Sequence, residues 1–225
     1  MTKSNNKILI SGTSSGLGKY LYKKIPSTIY NRNKKISYYK KIKWDLIIHC
    51  GFYSRNDNIQ KTMDSVYHSY CLSNLESKKY IFLSSAIVYE QSKRKTESTT
   101  LSLSSKLSNY AKAKIISESF FQKKKTLIIR LGSIIGENMR KNSTYKILFN
   151  KNEKINLSKN SLNSFISYSE ILEFIKISQK HNLSGIYNFL RTDYIKLSAI
   201  EKISSSNITF GRIYFECIKA NNKKI

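Results

Sequence analysis

The chain has 225 residues, of which 40% are hydrophobic and 24% charged, a length and balance that suit one globular domain with a full core and exclude a disordered chain. The formal net charge is +26, but 33 of the 40 basic residues are Lys and only 7 are Arg, beside 20 Asn and 31 Ile. A bias towards residues that A/T-rich codons specify explains all three excesses, whereas a nucleic-acid surface explains only the Lys and favours the forked donors of Arg.

The segment MTKSNNKILISG reaches an apolar run within ten residues, which leaves no room for a signal peptide, and no apolar stretch approaches the roughly 18 residues of a membrane span. Cys50, Cys71 and Cys217 are widely spaced, so they form no metal pattern and read as reduced thiols of a cytoplasmic protein. Residues 7–11 predict a buried strand running into three glycines, and a helix should follow from about Leu17 to Lys24. Residues 27–31 and 36–39 predict two short strands, and Trp44 to Cys50 a longer apolar one. A helical pattern covers about 59–77, a strand 79–85, a helix 110–123 and a strand 126–131. Residues 138–165, rich in Asn, Lys and Ser, predict a mobile substrate-side segment. Ser167-x-x-Glu170 is a capping-box pattern opening a helix to about Lys180, residues 186–190 predict a further strand, Ser198-x-x-Glu201 caps a short helix, and 208–217 predict a last strand. Strands alternating with helices imply an α/β fold with a doubly wound, mostly parallel sheet, whose ligands bind at the carboxyl ends of the strands.

Glycine is scarce, with 8 in the chain, so a cluster carries information. Gly12-Thr-Ser-Ser-Gly16-Leu-Gly18 follows a strand and opens a helix. That order meets three needs of a dinucleotide site: unusual turn dihedrals, a close backbone approach to the pyrophosphate, and tight helix–strand packing, with the helix N-terminus facing the phosphates. Tyr110 and Lys114 stand four apart, so on a helix they share a face.

This glycine spacing resembles that of the short-chain dehydrogenase/reductase superfamily. WDLIIHCG resembles its strand-four segment, IFLSSAIVYE its Ser-Ser-x-x-Val-Tyr strand end, Tyr110-Ala-Lys-Ala-Lys114 its Tyr-x-x-x-Lys signature, and Arg130 to Gly136 a segment of the extended branch, the NAD-dependent epimerase/dehydratase group. The resemblance covers residues 7–136 and, faintly, 163–190. It implies a Rossmann-like core over 1–136, with 137–225 supplying the remaining core strand and a small C-terminal substrate-side lobe of one domain.

It also implies roles. Tyr110 is the proton-transferring group, helped by the Lys114 ammonium because a free phenol titrates near 10. Lys114 also holds the nicotinamide ribose, and Ser85 donates to the substrate oxygen. Gly12, Ser14, Ser15, Gly16, Leu17, Gly18, Asn31, Arg32, His49, Cys50 and Gly51 would line the cofactor beside Tyr110 and Lys114, with His49 at a strand end near it. Ser85, Ala86, Ser133 and Asn163 would face the substrate, and no metal is expected. The strand-two end, Ile29-Tyr-Asn-Arg32-Asn, carries no acid for the 2′-hydroxyl of NAD and offers Arg32 to the 2′-phosphate, which points to NADP, with NAD as the alternative.

Ala86 and Ile87 replace the acidic pair of family dehydratases, which leaves a reductase or epimerase acting on a keto or hydroxy group of a nucleotide-linked sugar, in surface polysaccharide biosynthesis. Extended relatives pair through a four-helix interface, so a homodimer is expected. The pattern also departs from the family. The chain is short after Gly136, the stretch between Arg32 and Leu46 is trimmed, Asn163-Ser-Phe-Ile stands for Arg-Asp-Phe-Ile, and Glu90 replaces a Gly. Two further readings follow: a catalytically silent NADP-binding regulator, and a basic nucleic-acid binder with steeply salt-dependent affinity.

Overall fold

The computed structural model describes residues 6–54, 57–90, 95–122, 125–150, 152–221 and 224. In chain order the elements are β1 (Ile8–Ser11), α1 (Gly16–Lys24), β2 (Thr28–Ile29), α2 (Ile36–Lys40), β3 (Leu46–His49), α3 (Ile59–Ser73), β4 (Tyr80–Ser85), a 3₁₀ turn (Ala86–Tyr89), α4 (Asn109–Phe121), β5 (Thr126–Leu131) and β6 (Ser133–Ile135). Then come α5 (Ser143–Phe149), β7 (Lys154–Leu157), β8 (Leu162–Asn163), β9 (Phe165–Ser167), α6 (Tyr168–Lys180), β10 (Gly185–Phe189), β11 (Ile195–Lys196), α7 (Leu197–Ser204) and β12 (Thr209–Ile213). The helix expected over 110–123 thus ends at Phe121, and Lys123 lies outside the described residues.

Six strands form one sheet in the order β10-β5-β4-β3-β1-β2, and every neighbouring pair is parallel. Parallel strands covered on both faces must be apolar on both, and β3 and β5 are buried at every residue. The pleat sends neighbours to opposite sides. Ile10, Ile48, Ile81 and Ile129 enter one core layer with Leu17 and Leu21 of α1 and with Ile171, Phe174 and Ile175 of α6. Leu9, Ile47, Phe82 and Ile128 enter the other with Tyr39, Trp44, Leu72 and Phe121. The order reverses between β1 and β3, so their carboxyl ends frame a crevice, the place where open α/β sheets take ligands. α6 begins at a complete capping box of Ser167 and Glu170.

Three expectations are corrected. Residues 36–39 form helix α2 and not a strand, because Ile36 and Tyr39, three apart, turn together onto the core, where Tyr39 packs on Tyr30 and its hydroxyl accepts from the Asn31 amide at 2.7 Å. Among residues 138–150 and 152–165, an irregular stretch was expected but α5, β7 and β8 form, because Ile147 and Ile155 meet Leu197, Ile200 and Ile208 in a separate small core. Helix α7 starts at Leu197 behind Lys196, so Ser198 lies inside it and caps nothing. Among the described residues no helix is long and apolar enough to cross a membrane.

Candidate active site

The glycine loop joins β1 to α1 at the crevice. Gly12 adopts φ +75°, and a Cβ there would lie 2.5 Å from the Gly51 backbone, so the loops after β1 and β3 touch through bare backbone. Gly18 brings α1 against the strand: its Cβ would stand 2.2 Å from the Gly12 carbonyl oxygen. Ser15 precedes α1 without capping it by its side chain, and the first turn holds no acidic residue, so the positive end of the helix is offered to an anion. Ser14 and Ser15 are exposed at the loop crest, while Leu17 is buried in the core. On the far bank Asn31 and Arg32 are exposed, and the Arg32 guanidinium reaches to 3.3 Å from the Cβ position of Gly51.

Ser85 ends β4 and Tyr110 lies in the first turn of α4, whose cap is the Ser108 side chain accepting from the Ala111 amide. Burial pushes the Tyr110 phenol up to about 12, against the pull of the Ser85 hydroxyl and of the Arg140 charge. Lys114, one turn on, is 3% exposed and donates to the Leu83 carbonyl at 2.8 Å, with its ammonium 4.0 Å from the Phe52 ring centre and 4.8 Å from that of Phe82. Burial lowers it to about 7, while Glu118 and Cys50 pull the other way. Lys114 aims at the Leu83 carbonyl and at aromatic faces, and its ammonium lies 5.9 Å from the Tyr110 ring centre.

His49 is also placed otherwise than a residue facing a cofactor would be. It is 1% exposed, its ring nitrogens joined to Ser11 Oγ at 2.6 Å and Ser69 Oγ at 2.8 Å. Ser11 Oγ in turn accepts from the Cys50 and Gly51 amides, both at 3.2 Å. His49 thus holds the crevice floor from behind, and burial keeps its pKa well below the usual imidazole value. Cys50 is half-buried, with its thiol pushed up to about 12 by burial. Ala86 is buried in the 3₁₀ turn beside Ser85. Ser133, half-buried, opens β6 just past the carboxyl end of β5, and β6 pairs with β9. Asn163 is buried where β8 pairs with β11.

Sequence reasoning missed three neighbours. Phe52 meets Tyr110 edge-on at 5.8 Å and covers Lys114. Arg140 reaches across from the far side of the crevice. Glu118, 1% exposed, forms a buried ion pair with Arg130, bonded through Nε at 3.0 Å and Nη2 at 2.6 Å, and accepts from Ser84 Oγ. Arg130 also donates to Tyr89, whose hydroxyl is 2.9 Å from Asn188 Oδ1. Glu118 lies one turn beyond Lys114, a spacing that could have marked it. A cavity of about 340 Å³ lined by Phe121, Thr126 and Ile186 opens at the amino ends of β5 and β10, the opposite edge of the sheet.

No protein-family model and no curated protein sequence matches this chain. Solved structures do. The dTDP-4-dehydrorhamnose reductase of Bacillus anthracis in complex with NADP is 15% identical, with 93% of this chain and 84% of that one covered and a TM-score of 0.77. MoeE5 in complex with UDP-glucuronic acid and NAD is 12% identical, with 97% and 91% covered and a TM-score of 0.79. This chain shares its fold with these structures. The UDP-glucuronic acid 4-epimerase of Bacillus cereus in complex with NAD shares it at 15% identity, 92% and 87% coverage and a TM-score of 0.73.

Proposed function

We propose that this protein is an NAD(P)-dependent oxidoreductase, a reductase or epimerase acting on a keto or hydroxy carbon of a nucleotide-linked sugar. The observation that carries the reading is Ser85 at the carboxyl end of β4 and Tyr110 in the first turn of α4, which packs on β4, with Lys114 one turn on and the glycine crevice alongside. The crevice suits a dinucleotide. Gly12 and Gly51 leave a bare backbone floor, α1 presents an uncapped positive end for a diphosphate, and Arg32 lies over Gly51 for a 2′-phosphate, which favours NADP.

When bound, such a cofactor supplies or accepts hydride. The chain's own work is proton and charge handling. Tyr110 Oη gives its proton to a substrate oxygen, or takes one back, and Ser85 Oγ donates to the same oxygen and stabilises its developing charge. Lys114 supplies a positive charge under the site whose strength depends on what fills the crevice, because the residue titrates near neutrality there. Ala86 and Ile87 bring no carboxylate after Ser85, in keeping with reduction or epimerisation and against loss of water.

The deciding experiment is calorimetric titration with NADPH and NADH, beside an Arg32→Ala variant. Tight NADPH binding that weakens in the variant supports the reading, and binding of neither cofactor overturns it. Tyr110→Phe should then retain NADPH and lose turnover of keto-sugar nucleotides. Retained turnover would refute the assigned chemistry, while cofactor binding without turnover in the unmodified protein would leave a silent binder. We further propose a homodimer through α3, whose Ile59, Met63, Tyr67 and Tyr70 expose an apolar stripe beside α4.

A further inference from the structure

The segment after β6 crosses from one bank of the crevice to the other. At its start Glu137 pairs with Lys23 of α1 at 2.9 Å. Asn138 then adopts the left-handed conformation at φ +55°, and its carbonyl lies 3.9 Å from the Cβ position of Gly16, the first residue of α1. Met139 drops into the core at 6% exposure and fixes the middle. At the far end Arg140, itself exposed, sends Nη1 to the carbonyl oxygen of Ser54 at 2.8 Å and to Ser54 Oγ at 2.7 Å. Ser54 belongs to the loop after β3, two residues beyond the Phe52 that covers Lys114. The strap is therefore anchored on α1, the bank that follows β1, and tied by one side chain to the bank that follows β3.

We infer that Arg140 is a latch: its two bonds to Ser54 close the 136–140 strap over the crevice, and a diphosphate-containing ligand enters or leaves only when they open. The inference rests on the dinucleotide reading of the crevice. Three features distinguish Arg140 from a surface arginine. Its partners are neutral, and among the described residues it forms no ion pair, so the bridge holds a full positive charge over the loops without cancelling it. Its partner Ser54 lies two residues beyond Phe52, whose ring meets Tyr110 edge-on, which puts the bridge at the reacting end of the crevice. The rest of the strap is held independently by Glu137 and Met139, so opening at Arg140 frees one end and leaves the hinge attached. A guanidinium held by a hydroxyl and a carbonyl also exchanges those partners readily for phosphate oxygens, which match its fork.

The two roles of Arg140, latch and direct ligand contact, leave different kinetic signatures. A latch that gates passage slows entry and exit alike, whereas a contact made only with ligand slows exit. Stopped-flow fluorescence should be recorded with NADPH, and with UDP as the other diphosphate source in competition, on the unmodified protein, Arg140→Ala, Arg140→Lys and Ser54→Ala. The latch predicts that Arg140→Ala raises both the NADPH association and dissociation rates about ten-fold, with Kd changed less than about three-fold. Ser54→Ala, which keeps the carbonyl, should fall between, as should Arg140→Lys. Hydrogen exchange of the free protein should rise across 136–142 in Arg140→Ala. Unchanged rates and exchange overturn the latch, and so does a faster NADPH exit with unchanged entry, which would make Arg140 a ligand contact. A selective effect on UDP would assign it to the substrate diphosphate and likewise overturn the gating of the cofactor. Failure of the unmodified protein to bind NADPH would instead fell the dinucleotide reading, even if the exchange result stands.

Discussion

Lys114 gives the sharpest physical test of the site. Its ammonium is buried between Phe52 and Phe82, and burial lowers its pKa from 10.5 to about 7. Between those values the unfolded chain holds a proton that the folded chain lacks, so stability must rise with pH across this window. Below about 7 both states hold the proton and the dependence on this group vanishes. The limiting slope is about 1.4 kcal/mol per pH unit, so from about pH 7.5 to about pH 9.5 the residue should add some 2–3 kcal/mol. Replacement by Met keeps the length and removes the titration. The lost bond to the Leu83 carbonyl shifts the whole curve without tilting it. The assay is urea unfolding of both proteins at a series of pH values, urea being uncharged. The many exposed lysines titrate equally in the two proteins and cancel in the difference. A difference that stays flat to within about 0.5 kcal/mol over this range would refute the argument that Lys114 is desolvated in the folded protein. The expected result would mean that burying Lys114 is a standing cost to the fold.

Glu118→Gln should destabilise by about 3–5 kcal/mol, because it leaves the Arg130 charge buried without its partner, and the Glu118→Gln/Arg130→Met double variant should lose much less than the sum, as read from urea midpoints. Gly18→Ala forces a methyl onto the Gly12 carbonyl, so the α1 end must shift; a loss of about 1–3 kcal/mol in unfolding free energy is expected, with weakened NADPH binding in calorimetry. Met63→Lys with Tyr67→Lys, both on the exposed face of α3, should convert a dimer into a monomer in sedimentation experiments while leaving the circular dichroism spectrum unchanged. A dimer that survives both charges would place the interface elsewhere.

The sheet was legible because its central strands are buried on both faces and therefore read as apolar runs, such as TLIIRL in β5. The capping box of α6 and the glycine loop were legible because local backbone chemistry demands those residues. Residues 36–39 misled because Ile and Tyr favour strands, and only the placement of Tyr39 against Tyr30 and Trp44 makes them helical. The lobe was expected from the resemblance alone, and its elements were hidden because β7 pairs with β12 from far along the chain and its few apolar residues make a core only when α5 and α7 meet. In the site, Ser85, Tyr110 and Lys114 carry a spacing that can be read. The inward position of His49 is a tertiary fact, and the Arg140–Ser54 bridge joins segments with no motif between them.

The order of the central sheet also governs how the chain emerges during synthesis. β5 finds β4 on one side as soon as it is made, but its other neighbour, β10, follows only roughly 50 residues later, after the whole lobe-forming stretch. At about 5–20 residues per second the ribosome takes several seconds to deliver it. For that interval a six-residue apolar strand has an open edge, the kind that pairs with other chains. Newborn copies should therefore depend on chaperone cover in that window, and fragments ending before residue 185 should aggregate even though they contain every glycine of the loop and all three of Ser85, Tyr110 and Lys114.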